Sequence, residues 1–212
     1  MKKNWESHAA YVIFTVLIML AVGYSYFFEY LPKHQVETKK SAALALAFDV
    51  VEKSLHLDVV VKSTDCAVQG SLPDHDCTPG TVFKNVDQAI ICVQGYTKTV
   101  RSVSVATRKK VFAEYNIAWP EPFGSYETDH LIPLALGGSN EIANLFPEAA
   151  SPYPGFKEKD VVENYLHEQV CAGSIALSAA QEQIANNWLL IYNNLSEQTI
   201  KDLKNKYKSW AK

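Results

Sequence analysis

The sequence predicts an α+β domain carried behind an N-terminal transmembrane helix. Three observations lead there: an uncharged apolar run near the N-terminus, a turn-rich middle holding a strand and a reversal, and a C-terminal third with helical periodicity. The chain has 212 residues and 48% hydrophobic content, room for one medium domain plus an appendage. Its formal net charge of −3 offers no global attraction for a polyanion, so any nucleic-acid contact has to be local.

The apolar run AAYVIFTVLIMLAVGYSYFF covers residues 9–28. A bilayer crossing needs about 20 residues at about 1.5 Å rise each, and the run meets that length. A cleaved signal peptide is the alternative, because Lys2 and Lys3 form a basic head, but the run is long for one and ends in bulky YSYFFEYLP. An anchor over residues 1–30 with its basic end in the cytoplasm predicts a single-pass protein of the cell membrane. Its C-terminal domain then lies outside the cytoplasm and the lipid bilayer is a partner. Secretion after signal cleavage is the alternative. Outside the cytoplasm, the even set Cys66, Cys77, Cys92 and Cys171 predicts disulfides, with three pairings open. No CxxC pair argues for a structural zinc site.

Residues 31–63 read as a helical stalk, since ETKKSAALALAFDVVEKSLH is rich in helix formers. Residues 64–195 form the main domain. It opens with cysteines, Gly70, Pro73, Pro79 and Gly80, a composition of turns and short strands. GYTKTVRSVSV predicts an extended segment, then a helix from Ser104 to Tyr115 that Pro120 and Pro122 close off. YETDHLIPL predicts a strand ending near Pro133, and LGGSN a chain reversal. KEKDVVENYLHEQVCAG places Val161, Val162, Tyr165, Leu166 and Val170 at helical spacing, with Gly173 as the stop. SAAQ at residues 178–181 reads as a capping box opening the next helix. Residues 196–212 form a last, basic helix carrying Lys201, Lys204, Lys206 and Lys208.

The segment DHLIPLALGGSNEIANL, with its DH, Gly-Gly turn and Asn-Leu, resembles the HNH endonuclease motif and its ββα-metal finger. CTPGTVF, ICVQGYTKTVR and KDVVENYLHEQVCAG also resemble a group of exported bacterial HNH proteins, together covering roughly residues 74–192. The resemblance implies metal-assisted hydrolysis of nucleic-acid phosphodiesters, DNA in preference to RNA, with His130 as general base and Asn144 keeping the loop and imidazole in register. It makes Asp129 a ligand for a divalent cation. Magnesium or manganese suits a hard carboxylate oxygen, and zinc is a further option. The motif's later histidines are absent here, and the nearest substitute is Glu163 with His167, an i, i+4 pair on the finger helix. Lys98 and Arg101 in TKTVR are the expected phosphate contacts. The alternative is an inactive DNA-binding or envelope assembly module that keeps the fold.

Overall fold

The computed structural model describes residue 57 and residues 59–208. The predicted anchor, most of the stalk and the end of the last helix lie outside the described residues. No described helix is long and apolar enough to cross a membrane.

The described chain folds as a small α+β domain. In order it runs through helices α1 (Gln88–Ile91), α2 (Tyr96–Val100) and α3 (Val105–Glu114), then strand β1 (Tyr126–His130). Two 3-10 turns, Leu134–Leu136 and Ile142–Asn144, lead to β2 (Leu145–Ala149), followed by α4 (Phe156–Cys171), α5 (Leu177–Asn194) and α6 (Glu197–Lys206). The strands pair antiparallel with Asp129 opposite Phe146 and His130 opposite Leu145. Cross-strand partners share a face, so Glu127, Asp129, Phe146 and Glu148 line one side of the hairpin. Against the hairpin and its loop pack α4 and α5. Leu131, Ile132, Leu136, Leu166, Ile184 and Trp188 form the fully buried centre.

The Gly-Gly turn forms as the sequence predicts. Gly137 takes a left-handed φ of 78° to end the first 3-10 turn. Gly138 lies so close to the chain that an added Cβ would sit 1.7 Å from the Ile132 carbonyl oxygen. Phe112 meets Trp119 and Tyr126 edge to face, with centroids 5.2 and 6.1 Å apart, which fastens the start of β1 to α3.

Helices α3 and α6 begin as expected, with Ser104 Oγ accepting from the Thr107 N–H at 3.0 Å and Ser196 Oγ from the Thr199 N–H at 3.1 Å. Two local expectations are corrected. The TKTV residues are helical rather than extended, because Gly95 at φ 87° turns the chain into α2 and only Arg101 returns to extended geometry. The SAAQ capping box does not form: α5 starts one residue before Ser178, with Ala176 as its N-cap, and Gln181 instead donates through Nε2 to the Leu136 carbonyl at 2.7 Å. Within α5 the backbone leaves helical geometry at Asn187, whose side chain accepts from the Leu190 N–H at 3.0 Å and starts a second helical segment.

All four cysteines pair, Cys66 with Cys77 and Cys92 with Cys171. The first bridge closes a turn that Asp74 also holds. Its carboxylate accepts from the N–H groups of Ala67 and Asp76 at 3.0 and 3.1 Å and pairs with Lys62 at 2.8 Å. The second joins the end of α1 to the end of α4. Helix α6 lies on α4 through buried Leu203 and the pairs Lys204 with Glu158 at 3.1 Å and Lys206 with Glu168 at 2.8 Å.

Candidate active site

Asp129 and His130 are the last two residues of β1, and neighbouring strand residues project to opposite faces. Asp129 turns to the face that α4 covers. There it meets Lys159, a lysine whose side chain is fully buried. The ammonium donates to Asp129 Oδ2 at 2.6 Å, to the His130 carbonyl oxygen at 2.7 Å and to Glu163 Oε1. All three of its N–H groups are thereby used. Burial alone would push the ammonium down, but the charges of Asp129 and Glu163 outweigh it and hold it above the ordinary lysine range. Burial likewise works to raise Asp129, and the Lys159 charge reverses that and keeps the carboxyl well below its usual value.

Glu148, on β2 and diagonal to Asp129 across the hairpin, is 1% exposed. Among the described residues no N–H or hydroxyl donor is directed at either of its oxygens, and its near neighbour is the Asp129 carboxyl. Burial raises Glu148 well above the ordinary carboxylate range against the pull of Lys159, and the Asp129 charge adds to the rise. Glu163 is raised for the same reasons, burial first and the Asp129 charge with it. Asp129 has the Lys159 ammonium on one oxygen, whereas Glu148 beside it has no donor among the described residues, and a carboxyl so placed calls for a proton or a hard cation. If a hard cation takes that place, Asp129 and Glu148 are the oxygen donors that would meet it.

His130 leaves the strand on the other face and is 3% exposed. Its Nε2 faces Asn140 Oδ1 at 3.1 Å. Desolvation lowers its proton affinity, assisted by the charges of Arg101 and Lys159 and opposed by Asp129, which favours the neutral ring. The Asn140 amide reaches further: Nδ2 donates to the Val100 carbonyl at 2.7 Å and Oδ1 accepts from the Ser102 N–H at 3.3 Å. These two bonds bracket Arg101. The exposed Arg101 is thus tied to the loop that holds the imidazole, while Lys98 is exposed on α2.

Asn144 is fully buried and bonded on all sides. Its Oδ1 accepts from the Ile132 N–H at 2.9 Å, and its Nδ2 donates to the carbonyls of Ile132 and Ser139, both at 2.9 Å. It braces the loop between the strands. The imidazole is held by Asn140 instead, a residue that reads in the sequence as part of the reversal LGGSN.

The structure brings Asp129 and Glu163 together, although on Lys159. His167 does not join them. Its Nε2 donates to the Ile91 carbonyl at 3.2 Å and lies 3.5 Å from Cys171 Sγ. Four residues along a helix is about 6 Å of rise, enough to carry His167 from the level of the hairpin to that of the disulfide. Its ring nitrogen and the sulfurs of Cys92 and Cys171 lie within 4.8 Å of one another, but those sulfurs are bonded together and offer no thiolate.

Sequence reasoning missed Lys159, Glu148 and Asn140. The first had a signal: Lys159 stands in phase with Val162, Leu166 and Val170, a cation on the apolar stripe of its helix. Glu148 likewise follows the apolar residues of NLFP on a buried strand. Comparison with protein-family models, curated proteins and solved structures finds no match to this chain.

Proposed function

We propose that the protein is a membrane-anchored, extracytoplasmic endonuclease of the HNH type that hydrolyses phosphodiester bonds in DNA with a divalent cation. The observation that carries this reading is the end of β1. There a neutral imidazole has one nitrogen bonded and the other without a partner among the described residues. It stands on the opposite face of the strand from the Asp129 carboxylate but within reach of its charge, and Glu148 beside Asp129 has no donor among those residues. Complete pairing of the four cysteines supports an oxidising compartment.

In this reading Asp129 and Glu148 would hold magnesium or manganese, which would neutralise the charge growing on the departing oxygen. His130 takes a proton from the attacking water, so that hydroxide character develops only at the moment of attack. Lys159 keeps Asp129 ionised and oriented, and spreads Glu163 away on its other N–H. Arg101 engages a non-bridging phosphate oxygen, a task suited to the planar guanidinium fork. Asn144 keeps the loop from shifting under load.

The test is plasmid digestion by the full chain with and without EDTA, beside His130→Ala. The expected outcome is cleavage that EDTA abolishes and that His130→Ala lowers by about 100-fold or more. EDTA-insensitive cleavage removes the metal from the reading. Undiminished cleavage by folded His130→Ala removes the base. Salt-sensitive DNA binding without cleavage favours an inactive binding module.

A further inference from the structure

We propose that Asn140 is a positioning residue that locks His130 into the tautomer protonated at Nε2, leaving the Nδ1 lone pair as the base. The proposal deepens the nuclease reading and rests on it for its consequence, though not for its geometry. Asn140 can be oriented in only one way. Its Nδ2 faces the Val100 carbonyl, which only accepts, at 2.7 Å, and its Oδ1 faces the Ser102 N–H, which only donates, at 3.3 Å. The imidazole nitrogen 3.1 Å from that same Oδ1 must therefore be a donor. Two backbone groups that cannot exchange roles thus fix the amide, and the amide fixes the ring.

In a neutral imidazole a proton on Nε2 leaves Nδ1 unprotonated. Among the described residues, no group bonds Nδ1. The same two bonds hold residues 100 and 102 on either side of Arg101, so the base and the arginine that engages the phosphate share one anchor. A base whose lone pair is pre-set does not need to exchange tautomers before each attack, and a fixed arginine limits where the phosphate can lie.

The experiment uses the full chain with 15N-labelled histidine, with the His130 signals assigned by difference against His130→Gln. Long-range proton–nitrogen spectra report which ring nitrogen carries hydrogen, whether or not the protein cleaves DNA. The wild type is expected to show a single Nε2–H tautomer. Asn140→Leu, similar in shape but without polar atoms, should show mixed tautomers and a fall in kcat for plasmid of about 10- to 100-fold, larger than any change in KM. Asn140→Asp retains an acceptor for Nε2–H and should keep the wild-type tautomer, which serves the test if the leucine variant does not fold. A wild-type Nδ1–H tautomer overturns the proposal. So does loss of the Nε2–H tautomer in folded Asn140→Asp, or its retention in Asn140→Leu, whatever happens to cleavage. A chain that cleaves nothing yet shows the expected tautomers defeats the nuclease reading alone.

Discussion

Lys159 is a buried cation with three partners, and its removal should be the most damaging single change in the site. Lys159→Met leaves Asp129, Glu163 and Glu148 without their counter-charge, and breaking a buried ion pair from one side costs about 3–5 kcal/mol. Urea unfolding should show that loss. Adding Asp129→Asn and Glu163→Gln to Lys159→Met should return part of it, because only Glu148, which burial already favours in its protonated form, then remains ionisable; a triple variant no more stable than the single one would show that the cost comes from packing. At this scale the sequence was legible where chemistry is local. Asp129 and His130 end one strand, the Arg101 charge reaches the ring, and Asn144 braces the loop that follows. It was misleading at His167, where sharing a helix face with Glu163 was read as sharing a site. A full turn separates their levels, and the disulfide lies at the second. Of the two tasks expected of Asn144, bracing the loop is its own but holding the ring falls to Asn140, since both are asparagines of one loop and only the folded loop shows which meets the imidazole.

Among the elements, α5 is two helical segments under one span. The break at Asn187 needs a new N-terminus, which its own side chain supplies. Asn187→Ala should cost about 1 kcal/mol, whereas Asn187→Asp, also a good N-cap, should cost little. Denaturant midpoints for the two variants distinguish this from a general effect of substitution at a half-buried site. The helices at Ser104 and Ser196 were readable because a serine cap is a local signal. The start of α5 was not, because Gln181, the expected capping partner, is drawn to the Leu136 carbonyl. A hydrogen bond across 45 residues outweighs one across three, and no window of sequence reveals it. The short helix at Tyr96–Val100 escaped for a related reason, since Thr and Val favour extended chain until Gly95 turns them.

For the whole molecule the two bridges differ in reach. Cys66 and Cys77 are 11 residues apart, and Cys92 and Cys171 are 79. By loop-closure entropy the longer bridge is worth about 4.5 kcal/mol and the shorter about 2.8 kcal/mol. The double variant Cys92→Ser, Cys171→Ser should therefore melt well below the double variant Cys66→Ser, Cys77→Ser, and calorimetry under identical conditions decides it. Equal melting temperatures would mean that the unfolded chain keeps structure that makes the longer loop easier to close. The sequence identified which residues would pair as a set, but partner choice depends on where α1 meets α4, which the fold alone provides. Because Cys92 and Cys171 enclose β1, β2 and nearly all of α4, every side chain from Arg101 to Glu163 lies inside one covalent ring. A protease that severs one peptide bond within that ring yields a nicked molecule rather than two fragments. Only a reductant lets the halves drift apart, so while the bridge stays oxidised one cut is not enough to separate the imidazole from its lysine.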